Sequence, residues 1–342
     1  MTRPRITAIA LAVALIVLAL GLAACGEKSE DESGGEERQS LRLALDFYPN
    51  PDHAGIYMAE EEGFFDEAGL DVSISAPSDP SAPLKLVAAG KSDLAITYEP
   101  EVVLAHEQGL PVVAIGALVN QPLTSLIWLQ SSGIKGVADL KGKTVATAGI
   151  PYQEAFLQTI LERAKVDPST VKPVNVGFGL LPALVGGQAQ AMLGGYSNVE
   201  GVDLQQRGKA PVITPVDQLG VPTYDELVVI ANREALESEP EPYRLFLAAL
   251  ERGTDAAVAN PQAATAAITA ANHDLEPELT GAEMEATLPL LGARDGHHPY
   301  GYMDPTQWEE FAAWMRDEEL IDGLPKAPEL LTNDYLSGVI PE

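Results

Sequence analysis

Cysteine is almost absent from the 342-residue chain, which holds one, Cys25. A lone thiol excludes a disulfide framework, a cysteine-rich zinc site, a cysteine-ligated iron cluster and a CxxC redox centre. Basic residues are scarce too: 21 Lys and Arg stand against 50 Asp and Glu, for a formal net charge of −29. Phosphate backbones need a cationic surface that this balance cannot supply, so no nucleic-acid partner is expected. No HExxH, GxSxG or Walker-type loop occurs, and the adjacent His297 and His298 lack metal-ligand spacing. Catalytic residues, metal ligands and a cofactor are therefore not expected. Composition excludes a polytopic membrane protein. What remains is ordinary globular material, 46% hydrophobic and 21% charged, in a length that suits two lobes.

The N-terminus is different. Arg3 and Arg5 precede an uncharged stretch from Ile6 to Leu20 made almost wholly of Ala, Leu, Val and Ile, the pattern of an export signal. The uncharged run continues to Ala24, so a membrane-spanning anchor is the alternative. Leu22-Ala23-Ala24-Cys25 resembles the bacterial lipobox, whose cysteine is diacylated and becomes the new N-terminus after cleavage. Residues 1–24 are thus expected to be a lipoprotein signal peptide and Cys25 the lipidation site, which holds the protein on the extracytoplasmic face of the cell membrane. Residues 25–40 are Ser, Gly and charge, mostly acidic. They cannot bury a core and read as a flexible tether, with an acidic binding tail as the alternative.

From residue 41 onward, short β-rich runs alternate with helical patterns: Leu41–Leu45, Asp71–Ser75, Asp93–Thr97, Pro111–Ile115, Lys143–Thr147, Val171–Val176 and Ala189–Leu193. That alternation predicts an α/β fold with mainly parallel sheets flanked by helices. Asn260-Pro261 and Asp304-Pro305 each place an N-cap before a proline at the first helical position, and the C-terminal third is expected to be mostly helical. After Pro305, Trp308, Phe311, Ala312 and Met315 recur on one helical face, so Trp308 is assigned to the core.

Ligands in open α/β sheets bind beyond the carboxyl ends of the strands. The loop leaving the first strand carries Asp46, Phe47, Asn50, His53 and Tyr57 there. The string LDFYPNPDHAGIYMAEEEGFFDEAGLDVSI, with LVAAGKSDLAI, GGYSNVEGV and PTYDELVVIAN, resembles substrate-binding proteins of bacterial ABC importers in the thiamine-precursor branch. The GFF and LVAAGK strings are shared with importers of nitrate and sulfonates; the opening motif and GGYSNVEG are the specific ones. The resemblance implies a two-lobed periplasmic-binding-protein fold, type II like, that closes on its ligand by hinge motion. It places crossing segments near Thr124–Leu129 and Glu226–Ala231, so that residues 41–125 plus 228–342 form one lobe and 126–227 the other. It further implies a monomer that hands a hydroxymethyl- or formylaminopyrimidine to permease and ATPase subunits.

On that plan four loops face the cleft: Asp46 to His53, Thr97 to Pro100, Gly149 to Glu154 and Gly194 to Glu200. The expected ligand-binding residues are Asp46, Phe47, Tyr48, Asn50, His53, Tyr98, Glu99, Tyr152, Tyr196, Asn198 and Glu200, with Glu154 and Gln153 in the same loops. None of the loops contains Lys or Arg. An anion pocket gains from a cation or from helix N-terminal donors, whereas a flat heterocycle with exocyclic amines wants carboxylate acceptors and aromatic faces. Glu200 is expected to accept from a ring amine while Tyr196 and Phe47 or Tyr48 sandwich the ring. Some of the carboxylates, Glu154 among them, can equally cap helices. Riboflavin or another small heterocycle is an alternative ligand. The rival from another class is the eukaryotic pyrimidine synthase of this fold, which consumes its own histidine with pyridoxal phosphate. Its cofactor-binding lysine corresponds to Thr97, and its iron-holding cysteine run corresponds to Pro222–Leu227, which has none.

Overall fold

In a computed structural model, which describes residues 38–292 and 297–339, the alternation becomes ten strands in two sheets. The signal segment 1–24, Cys25 and the stretch to Glu37 lie outside the described residues. The strands are β1 (Gln39–Ala44), β2 (Leu70–Ser75), β3 (Leu94–Thr97), β4 (Val112–Val119), β5 (Thr124–Leu129), β6 (Thr144–Thr147), β7 (Lys172–Asn175), β8 (Ala191–Tyr196), β9 (Pro211–Pro215) and β10 (Leu227–Asn232). The first sheet runs β2-β1-β3-β10-β4 and the second β7-β6-β8-β5-β9. Gln39 and Ser40, assigned above to the tether, already pair with Leu70 and Asp71. Their polar side chains are exposed, so only the backbone ladder marks them as strand.

The α/β reading holds, but each sheet is mixed rather than mainly parallel. In the first sheet β1 pairs parallel with β2 and β3, whereas β10 is antiparallel to both β3 and β4. In the second, β6 is parallel to β7 and β8, whereas β5 is antiparallel to β8 and β9. The reversed strand in each sheet is the first one after the chain crosses over, from β4 to β5 and from β9 back to β10. It has neighbours on both sides, so one reversed strand turns half of the pairings in its sheet antiparallel.

The helices after β10 pack on the first sheet and fix the loop that follows β1. Gly55 and Gly253 set that contact: a Cβ on Gly253 would meet the backbone of Gly55 and Ala59, and one on Gly55 would meet Thr254. The absence of both side chains lets Glu241–Ala259 lie directly on Ala54–Glu61. Asn260 caps Pro261–Ala271 through the backbone N–H of Ala263, and Asp304 caps Pro305–Asp317 through that of Thr306. Trp308, Phe311, Ala312 and Met315 are all buried, as the spacing predicts.

Candidate functional site

The carboxyl ends of β1, β3, β6 and β8 meet at one cavity. From the first sheet come Asp46, Phe47, Tyr48 and Asn50, which follow β1, and Tyr98, which follows β3. The second sheet supplies Ala148, Ile150, Tyr152 and Gln153 after β6, then Gly194 and Tyr196 of β8 with Val199 and Glu200 beyond it. Gly194 has φ of +105°, and a Cβ there would strike the amide of Gln153. That amide is itself held, since Gln153 Oε1 accepts from the backbone N–H of Ala148 at 2.8 Å.

Asp46 is the acceptor at the floor of the first-sheet wall. Its Oδ2 accepts from the Tyr98 hydroxyl at 2.9 Å, and its Oδ1 lies 2.8 Å from His53 Nε2. The backbone N–H of Asn50 points at His53 Nδ1, 3.3 Å away. Nδ1 is therefore the acceptor and Nε2 carries the proton given to Asp46. The local sequence makes this turn: Asn50 caps Pro51–His53 by accepting from the N–H of Asp52, and Pro51 occupies the first helical position. His53 stands behind Asp46 rather than on the cavity wall, a positioning contact where a ligand contact was expected.

Across the cavity, Glu200 Oε2 accepts from the backbone N–H of Tyr196 at 2.7 Å. Burial raises its carboxyl, and Asp203 adds to the rise, while the backbone donors of Tyr196 and Glu200 oppose it. Phe47 and Tyr48 pack together at 4.4 Å between ring centroids, and Phe178 from the second-sheet side sits edge-on to Phe47 at 4.6 Å. Phe178 was not singled out in the sequence, where it lies in a featureless VGFGLL run after β7.

Two further expected residues lie away from the cavity. Glu99 is fully buried at the crossing region, its Oε2 accepting from the N–H of Asp225 at 2.7 Å and its carboxylate taking both contacts of Gln307 Nε2 at 3.2 Å. Asn198 turns toward the first-sheet side, where its Nδ2 donates to Asp52 Oδ1 and to Thr287 Oγ1, each at 2.8 Å. Both sit in the expected loops, but their side chains join elements instead of facing the cavity. Thr97 is buried and donates from Oγ1 to Glu101 Oε2 at 2.7 Å.

The family model described as "NMT1/THI5 like" matches residues 50–264. A formylaminopyrimidine-binding protein from Halalkalibacterium halodurans is 36% identical over 306 residues, covering 89% of this chain and 92% of that protein. The chain belongs to the NMT1/THI5-like family. Another relative in sequence is a 4-amino-5-hydroxymethyl-2-methylpyrimidine phosphate synthase from Legionella pneumophila, 29% identical over 74% of this chain and 80% of its own. Among solved structures, the periplasmic aliphatic sulphonate binding protein of Escherichia coli superposes with a TM-score of 0.67 at 15% identity, over 87% of this chain and 98% of that one. That likeness shows the periplasmic-binding-protein fold.

Proposed function

We propose that the protein is the extracytoplasmic substrate-binding component of an ABC importer and that its cargo is an aminopyrimidine precursor of thiamine. The observation that carries this reading is the lining of the cavity, which has five aromatic side chains, two carboxylates and no Lys or Arg. Asp46 has both oxygens engaged by side chains, whereas Glu200 is held by the backbone N–H groups of Tyr196 and of its own residue and offers the acceptor for an exocyclic amine. A hydrogen bond to a charged acceptor contributes about 1.5–3 kcal/mol and stacking of a ring on an aromatic face about 1–3 kcal/mol, so both recognise the ligand. A sulfonate would meet carboxylates and no cation in this cavity. The name of the Halalkalibacterium halodurans relative supports the same ligand class. Thr97, at the position that corresponds to the synthase lysine, has its hydroxyl engaged by Glu101 and supports binding without turnover.

Residues 41–125 plus 228–342 and residues 126–227 are read as the two lobes that close on the ring, the protein acting as a monomer held to the membrane through Cys25. Fractionation of Cys25→Ser tests the anchor, since unchanged membrane association with the signal removed would sink it. Calorimetry tests the ligand: Glu200→Gln and Tyr196→Ala should each weaken an aminopyrimidine at least tenfold, about 1.4 kcal/mol. Parent-like binding by both variants, or a parent that prefers a sulfonate to every aminopyrimidine, would overturn the assignment.

A further inference from the structure

Beside the cavity lies a second chamber that shares Tyr48, Asn50, Val199 and Glu200 with it as common walls. Glu200, Asp203, Asp274, Glu276 and Glu283 line this chamber, with Arg207 its one basic residue. Arg207 is already paired with Asp203, one of the contacts being Nη2 to Oδ2 at 3.0 Å. Thr280, also in the lining, is 1% exposed, and its Oγ1 has no hydrogen-bond partner among the described residues. Glu283 is buried one turn along the same helix, Pro277–Thr287. An orphaned buried hydroxyl beside the buried Glu283 and the half-buried Glu200 is a ligand set for a positively charged group. No group of His, Cys, Asp or Glu among the described residues is arranged to hold a metal ion, so an organic cation is the better fit.

We propose that the second chamber is an ammonium site, receiving a protonated aminoalkyl arm carried by the heterocycle in the first cavity, with Glu283 and Thr280 as its partners and Glu200 shared between ring and arm. The inference rests on the reading of the first cavity as a heterocycle site and names the ligand class more narrowly, as a cation. The electrostatics agree. Burial first, then Glu200, Asp203 and Asp52, push Glu283 up to about 8 against the opposing effect of Arg207. An alkylammonium keeps its charge throughout the neutral range. It must displace the Glu283 proton to bind, so its affinity tightens as pH rises towards 8.

The test uses the full chain and two probes, the same aminopyrimidine ring bearing an aminomethyl or a hydroxymethyl arm. The aminomethyl ligand should bind at least tenfold tighter at pH 8, and the ratio of the two affinities should fall by roughly an order of magnitude at pH 6. Glu283→Gln should bring the ratio near one while leaving hydroxymethyl binding intact, which also reports a folded variant. The pH profile of the parent reads the same site without any substitution. A parent ratio near one at every pH, or a ratio that Glu283→Gln does not move, overturns the ammonium site and leaves the heterocycle reading standing. Binding of neither probe overturns both.

Discussion

Two groups of buried carboxylates occupy this chain, and they are spent differently. At the crossing region, Glu226 accepts from the backbone N–H groups of Leu123 and Thr124, from Thr124 Oγ1 and from the Tyr224 hydroxyl, all within 2.9 Å. Glu99 accepts from Asp225 N–H and from Gln307, while Asp225 takes the indole N–H of Trp308. On the cleft side Glu200 has backbone donors alone, and among the described residues Asp52 Oδ2 is buried without a donor and the hydroxyl of Thr280 is idle. Asp52 and Thr280 are as buried as the crossing-region acids, and Glu200 is half-buried. What separates a carboxylate that holds the fold from one available to a ligand is the number of acceptor positions the protein has already filled.

Removing a crossing-region acid should therefore cost far more stability than removing a cleft acid. Glu226→Ala strands the N–H groups of Leu123 and Thr124, and urea denaturation should show a loss of about 3–5 kcal/mol. Glu200→Ala should lose less than about 1 kcal/mol. Equal losses would break the distinction.

The next effect is on pH dependence, to which both groups contribute, since burial also pushes Asp225 up to about 7 and raises Glu99 and Glu226. Burial, partly offset by His53 and Asn198, pushes Asp52 up to about 7, and burial with its acidic neighbours pushes Glu283 up to about 8. Each binds more protons folded than unfolded between its ordinary value and its raised one, so stability falls as pH climbs from about 4 to about 8. Thermal melts without ligand should drop across that interval, and Glu283→Gln should flatten the slope by up to about 1.4 kcal/mol per pH unit. A slope that Glu283→Gln leaves unchanged would mean that Glu283 is engaged after all. The smallest expected effect is at the aromatic contact across the cleft: Phe178→Ala should weaken ligand binding by about 0.5–1.5 kcal/mol, visible as faster dissociation in stopped-flow measurements.

Much of the fold was legible because its signals are local. Asn-Pro and Asp-Pro pairs mark helix starts, and the spacing of Trp308, Phe311, Ala312 and Met315 marks a buried face without reference to distant residues. Strand direction was not legible: β5 and β10 are as apolar as their parallel neighbours, and only the crossovers reverse them. The same divide runs through the site. Strand-end logic brought Asp46, Tyr98, Tyr152 and Glu200 to one cavity. It could not tell that Glu99 and Asn198, in the same loops, turn towards Asp225 and Asp52, because side-chain direction at a helix start depends on partners far along the chain. Phe178, Thr280 and Glu283 carried no motif. Glu283 in particular reads as one of several acids on a surface helix, Glu278, Glu283 and Glu285, until the packing of that helix against Glu200–Gln206 encloses it.

The amide of Asn198 deserves a last reckoning as a clasp. Its Nδ2 fastens the second-sheet side to Asp52 and Thr287, yet its own Oδ1 and the far oxygen of Asp52 are sealed away unpartnered. Each such atom costs about 1–3 kcal/mol, the same order as each bond contributes, so the clasp shuts with almost no net gain of its own. On the proposed two-lobe closure, a clasp of this kind opens readily when the cavity is empty and depends on the ligand to stay shut. Completing the hydrogen bonds of Asn198 by design is then expected to tighten binding and slow release.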